Sequence, residues 1–153
     1  MLQLRAMALD EFQKYISFAV NEYAEEKIQA GTWQSNDALA NSEQTYNRLL
    51  PNGLETSGNY FYSIYDDSNI IGYIWVGNDK ENKSNAFIFD FEIYKQYQNN
   101  GFGSKALILA EKEAENMGFS SIGLHVFGSN QRAIHVYQKS GYGITDIKMQ
   151  KEL

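Results

Sequence analysis

The chain has no cysteine, a single proline and only two histidines in 153 residues. The first absence excludes disulfides, thiolate metal sites and any mechanism that parks a group on a cysteine. With His125 and His135 as the only histidines, a zinc or iron centre lacks its usual ligands, and no metal is expected. Basic residues are also scarce: 13 Lys and Arg stand against 19 Asp and Glu, a formal net charge of -6. That balance disfavours a nucleic-acid partner, because such binding is driven by Lys and Arg displacing counterions from phosphates. A cationic small molecule or an amine is the easier partner. Long hydrophobic runs are missing too. The central run Ala106 to Ala110 is far short of a membrane span, and Met1 to Asp10 lacks the basic-then-apolar pattern of a secretion signal. No membrane partner and a soluble, cytoplasmic protein are therefore expected.

Hydrophobic residues make up 43% of the sequence, and a chain of this length can bury roughly two-thirds of its unfolded surface, so one domain over residues 1–153 is expected. Leu2 to Met7 predicts a first strand. Leu9, Phe12, Tyr15, Ile16, Ala19 and Tyr23 then recur at helical spacing as far as Gly31. The other face of that helix carries Glu11, Glu22, Glu25 and Glu26, which reads either as a solvated face or as the wall of a site for a cationic substrate. Ser35 or Asn36 can cap a second helix through Ala38, Tyr46 and Leu49, ended by Pro51-Asn52-Gly53. Trp33 lies between the two helices, as packing or as a pocket wall. Tyr60 to Tyr65 and Ile70 to Val76 read as strands joined by the turn Asp66-Asp67-Ser68-Asn69. A third strand, Ala86 to Tyr94, is expected to alternate strictly. Phe87, Phe89, Phe91 and Ile93 then share one face, and Ile88, Asp90, Glu92 and Tyr94 the other. A helix from Gly103 to Met117, a strand from Ser121 to Phe127, a short helix capped by Asn130 and a last strand near Tyr142 to Met149 complete the order. The fold class is α/β (α+β): a mixed sheet with helices on its faces.

The stretch from Phe91 to Ala110 reads as a phosphate cradle. Gly101 and Gly103 remove side chains where a helix begins, and the first amides of a helix lack intrahelical partners. Those donors, with the positive end of the helix dipole, suit a pyrophosphate. Gly101-Phe102-Gly103-Ser104-Lys105-Ala106 fits a dinucleotide pattern taken alone, but Lys95 to Asn100 separate it from the strand, and the next strand ends at Val126-Phe127 without an acid. The GxxxxGK[ST] loop of nucleotide triphosphatases is absent.

Three separated motifs resemble the GNAT superfamily of acyl-CoA-dependent N-acetyltransferases. Ile93 followed by Gln98-Asn99-Asn100-Gly101-Phe102-Gly103 is similar to that family's Val/Ile, then [RQ]-x-x-G-x-[GA], pattern. Asn130, Ala133 and Tyr137 match its N-x-x-A-x-x-x-Y helix, and Lys139-Ser140-Gly141-Tyr142 its usual ending. The resemblance implies a GNAT-like, mainly antiparallel sheet with a splayed pair of parallel strands. It implies acetyl-CoA as cosubstrate, with Phe91, Ile93, Tyr94 and Lys95 along the pantetheine arm. Gln98, Asn99, Asn100, Gly101, Phe102, Gly103, Ser104, Lys105 and Ala106 would lie at the pyrophosphate, and Asn130 and Tyr137 beside the arm. The basic residue that usually opens the loop is absent, since Gln98, Asn99 and Asn100 are neutral, and Lys105 either supplies charge there or is simply solvated.

Acyl transfer to an amine needs a deprotonated amine, a donor for the developing negative oxygen and a proton for the leaving thiolate. Without cysteine, direct attack on acetyl-CoA in a ternary complex is the expected route. A backbone amide near Phe91 to Ile93 would meet the oxygen, and Tyr137 would protonate the sulfur. Phe87 and Phe89 occupy positions where some family members carry a base. His125, five residues before Asn130, is one candidate, and Glu92 or Asp90 on the central strand another. Water alone is a third route. The acceptor is a primary amine on a small molecule, peptide or protein; a homodimer is compatible with the sequence. A non-catalytic CoA-binding regulatory module with the same fold is the alternative.

Overall fold

A computed structural model describes residues 1–153. Strand β1 (Leu2–Ala6) leads into helix α1 (Leu9–Gln29), then α2 (Ala38–Leu49), strands β2 (Asn59–Asp66), β3 (Asn69–Asn78) and β4 (Asn85–Ile93), helix α3 (Phe102–Asn116), strand β5 (Ser121–Leu124) and helix α4 (Gln131–Lys139). The five strands form one sheet in chain order. Every pairing is antiparallel except the last, β4 with β5, which is parallel and carries α3 as its crossover.

Alternation along β2 and β3 assigns the two layers. Ile64, Ile74 and Val76 point to one face, where Ala106, Leu107, Ala110 and Ala114 of α3 cover them. Phe61, Tyr73 and Trp75 point to the other, against Phe12, Tyr15 and Ala19 of α1. This second layer is largely aromatic, with Phe61 and Phe89 stacked near Trp75 at 5.1 and 4.9 Å. Helices α1 and α2 pack closely because Ala24, Ala38 and Ser42 are small and buried, and the Ser42 hydroxyl donates to the Val20 carbonyl at 2.7 Å. Trp33 packs edge-on against Tyr23 of α1. No helix is long and apolar enough to cross a membrane.

Three expectations fail. Strict alternation in β4 breaks at a bulge: Val76 pairs with Ile88 and Trp75 with Asp90, leaving Phe89 extra. Ala86 and Ile88 before the bulge, and Phe91 and Ile93 after it, consequently share the α3 face, while Phe89 and Tyr94 join the aromatic layer. The predicted final strand is also absent, and Tyr142 to Met149 pairs with nothing. Its apolar residues explain why: Ile144 lies three residues from Ile147, so a two-residue period puts Ile144 on one face and Ile147 and Met149 on the other. No single apolar face results, and all three side chains are exposed. Similarly, β5 stops at Leu124 rather than Phe127.

Candidate active site

The parallel pairing of β4 with β5 runs only from Asn85 opposite Ser121 to Ile88 opposite Leu124. Beyond it the two strands part, while β4 stays paired with β3 as far as Ile93 opposite Gly72. The fork therefore opens at Phe89 and Asp90, where the bulge lies. The Tyr94 N–H donates to Ile71 of β3 at 2.8 Å. Alternation then turns the amides of Phe91 and Ile93 the other way, into the fork. Of the strand residues predicted to line a cofactor arm, Tyr94 thus has its amide committed to the sheet, and the Ile93 carbonyl accepts from Gln98 Nε2 at 2.8 Å.

A 3-10 turn, Lys95–Tyr97, carries the chain to the loop before α3. Gln98 N–H donates to Lys95 and Lys105 N–H to Gly101, each at 3.3 Å. Between them the consecutive amides from Asn99 to Ser104 have no protein acceptor. Gly101 sits at φ 76 as the residue before α3, a left-handed conformation that only glycine adopts cheaply. No acidic residue stands in the first turn of α3. These features fit a diphosphate. Ala106, also predicted at the cradle, lies inside the helix and is fully buried.

Asp90 is the carboxylate held at the fork. Tyr15 of α1 donates its hydroxyl to Asp90 Oδ2 at 2.7 Å, across 75 residues of sequence. Burial raises the Asp90 carboxyl above the usual range, and the nearby charges of Glu92 and Glu22 act the same way, against the Tyr15 hydrogen bond. Glu92, one of the predicted bases, accepts from Tyr73 OH at 2.8 Å. Glu22 and Glu26 follow Tyr15 at helical spacing on α1. Burial, then the charges of Asp90, Glu22 and Glu92, raise the Glu26 carboxyl. None of these acids has a Lys or Arg within ion-pair distance, the only ion pairs being those of the terminal amine. Glu11, by contrast, is occupied by the Ala8 amide, Ser63 and Tyr65, a structural role. A cavity of ≈ 380 Å³ opens beside the β3–β4 connection, with Asn59, Trp75, Lys80, Lys83 and Phe89 in its wall, and none of these acids lines it.

On the opposite arm of the fork, Asn130 caps α4 by accepting from the Ala133 N–H at 3.2 Å. Tyr137, two turns on, packs half-buried against the α3-side core. Burial, and then the Asp90 charge, raise its hydroxyl above the usual tyrosine range. The hydroxyls of Tyr15, Tyr73 and Tyr142 are each bonded to a carboxylate; that of Tyr137 has no protein partner. His125 stands exposed just past β5 and touches Phe127 edge-on at 5.1 Å.

A model of the acetyltransferase (GNAT) family matches residues 15–142. The chain belongs to the GNAT acetyltransferase family. Among its relatives, the uncharacterized N-acetyltransferase YycN of Bacillus subtilis is 37% identical over 99% of both chains. YdgE of the same organism, another uncharacterized N-acetyltransferase, is 34% identical over 98% of this chain and 97% of its own. The crystal structure of YycN superposes with a TM-score of 0.90, covering 100% of this chain and 99% of that one. At 19% identity, the PaiA N-acetyltransferase of Thermoplasma acidophilum, solved in complex with coenzyme A, shares the fold with a TM-score of 0.69 over 97% of this chain and 93% of its own. As a GNAT protein the chain is an acetyltransferase, of a family that uses acetyl-CoA.

The amide loop follows β4 directly, and Arg132 of α4, the helix that carries Asn130 and Tyr137, is hydrogen-bonded to that loop at Asn99. Sequence reasoning missed two residues of this region. Tyr15 read only as an apolar-stripe position of α1, and its bond to Asp90 has no local signal. Arg132 was passed over as an unspecified position of the N-x-x-A-x-x-x-Y helix, yet its Nη2 donates to Asn99 Oδ1 at 2.5 Å.

Proposed function

We propose that the protein transfers the acetyl group of acetyl-CoA to a primary amine on a cationic acceptor, by direct attack in a ternary complex. The observation that carries this reading is a half-buried carboxylate where the fork opens, Asp90, held by Tyr15, together with a tyrosine hydroxyl that has no protein partner, Tyr137, made less acidic by burial and then by the Asp90 charge. Their environments suit opposite duties. Asp90 accepts the proton of the attacking ammonium. The amine nitrogen then bonds to the acetyl carbon, the carbon–sulfur bond breaks, and Tyr137, kept protonated across the neutral range, gives its proton to the leaving sulfur. The proton still on the acylated nitrogen passes back to the Tyr137 oxygen through water, while Asp90 releases its own to solvent. The amide of Ile93, turned into the fork, meets the carbonyl oxygen as it gains charge, that of Phe91 lying against the Asp90 carboxyl. The amides Asn99 to Ser104 hold the diphosphate of the donor, with Asn130 Nδ2 beside its arm.

Asp90 is preferred to the other bases on geometry. Asp90 and Glu92 each accept from one tyrosine hydroxyl, but Asp90 is the one that stands where the fork opens, and His125 is exposed. Support for a cationic acceptor comes from Glu22, Glu26, Asp90 and Glu92. Asp90, Glu22 and Glu92 all raise the Glu26 carboxyl after burial does, and the Tyr15 and Tyr73 hydroxyls hold Asp90 and Glu92 beside their rings. The coenzyme A complex of PaiA supports the donor assignment.

The test is thiol release from acetyl-CoA across a panel of di- and polyamines, neutral amines and peptide N-termini. Amines with a second positive charge are expected to give the lowest KM. Tyr137→Phe should lower kcat by about 100-fold or more with little change in the KM for acetyl-CoA. An unchanged kcat removes Tyr137 from the chemistry, and a preference for neutral amines removes the cationic acceptor.

A further inference from the structure

We infer, on the strength of the acetyl-CoA reading above, that Arg132 supplies the cationic contact to the donor's diphosphate that the α3 loop lacks. The loop opens with Gln98, Asn99 and Asn100, all neutral, so its own contribution is limited to backbone donors. Arg132 reaches the same place from the first turn of α4. Its Nη2 lies 2.5 Å from Asn99 Oδ1, a bond between residues 33 apart in sequence.

Asn99 sits at φ 66, in the left-handed region that asparagine tolerates better than most residues. Its side-chain oxygen is given to Arg132, while its own N–H is the first of the unpartnered row. The guanidinium is thereby fixed beside those amides. Arg132 has no carboxylate partner, since the only ion pairs in the protein belong to the terminal amine. It is exposed, with the rest of its planar set of donors unspent. An uncompensated guanidinium can grip two phosphate oxygens at once, which a lysine cannot. The other arginines are elsewhere: Arg5 is bonded to Gln3 and lies over Tyr65, and Arg48 is at the end of α2. Lys95 and Lys105 are exposed and make no hydrogen bond to the loop through their side chains.

Titration calorimetry with CoA and with 3′-dephospho-CoA tests this on the wild-type protein, R132Q and R132K. R132Q is expected to weaken both ligands equally, by about ten-fold, as removal of one charged hydrogen-bonding group does. R132K should recover only part of the loss. The melting temperature should stay unchanged, because the side chain is exposed. Wild-type affinity in R132Q would overturn the proposal. A loss confined to CoA and absent with 3′-dephospho-CoA would place Arg132 on the 3′-phosphate and overturn the diphosphate assignment. A wild-type protein that binds neither ligand would instead refute the acetyl-CoA reading, taking this proposal with it.

Discussion

Replacing Gly101 and Gly103 by alanine, one at a time, separates two demands made on neighbouring positions. Gly101 lies at φ 76, and a Cβ added there meets no atom within 4 Å. Its cost is therefore purely conformational, about 1–2 kcal/mol for an L-residue in the left-handed region. Restricting the unfolded chain returns about 0.4–1 kcal/mol, so Gly101→Ala should destabilise by about 1 kcal/mol. For a chain of this size that lowers Tm by about 2–4 °C. Gly103, in the first turn of α3, has no positive φ, and the nearest atom to an added Cβ is Ile93 Cγ1 at 4.0 Å. Alanine there gains helix propensity, about 0.5–1 kcal/mol, and should raise Tm by about 2 °C. The binding prediction is also asymmetric. Gly101→Ala pushes the backbone out of the conformation that aligns the Asn99 to Ser104 amides, and CoA affinity should fall about ten-fold or more. Gly103→Ala leaves the amides in place and should change affinity little. This accounts for the motif, whose first position is glycine only while the second admits glycine or alanine. Thermal melts with and without CoA measure both quantities. A Gly101→Ala variant that keeps wild-type stability and affinity would refute the reasoning.

Asp90→Asn should abolish most activity yet raise Tm near neutral pH, because the folded protein raises this carboxyl and so disfavours its charge. The sign depends on pH: Asp90 contributes stability fully below the unfolded value of about 3.9, and loses it as pH rises through the folded value. The advantage of asparagine in melts should therefore vanish in acid. Tyr15→Phe removes the hydrogen bond that holds Asp90 down, so the acidic limb of the kcat/KM profile should move to higher pH. An unmoved limb would show that Asp90 does not govern it. Gly72→Ala would put a Cβ 2.1 Å from the Glu92 carbonyl oxygen, and β4 must shift at the fork. A loss of about 1–3 kcal/mol in urea unfolding is expected, with a matching drop in kcat.

What could be read from sequence follows the range of the interactions involved. The β2–β3 hairpin was legible because the Asp66 to Asn69 turn is local and Asp67 takes the positive φ that such turns require. The start of α3 was legible because Gly101 takes the left-handed conformation that glycine alone adopts cheaply, just before the helix. The last strand was misread because Ile144, Ile147 and Met149 look apolar one by one, and only their phase shows that they cannot share a face. The Tyr15–Asp90 and Arg132–Asn99 bonds join distant segments, so nothing in either local pattern announces them. The bulge at Phe89 stayed hidden for a different reason: β4 on its own satisfies strict alternation, and only its pairing with β3 reveals the extra residue.

That extra residue has a consequence for how the chain tolerates change. Removing one residue from the middle of a central strand ordinarily exchanges its two faces from there on and ruins the core. Here the strand already carries one residue too many, and excising Phe89 would leave Ala86, Ile88, Phe91 and Ile93 against α3 as they are now. The ladder would become regular. The loss would fall on the other side, where Phe89 and Asp90 stand next to one another only because the count is off by one. A single-codon deletion at Phe89 is thus expected to yield a folded protein with a rebuilt surface beside Asp90, so this part of the protein can be altered by length as well as by side chain.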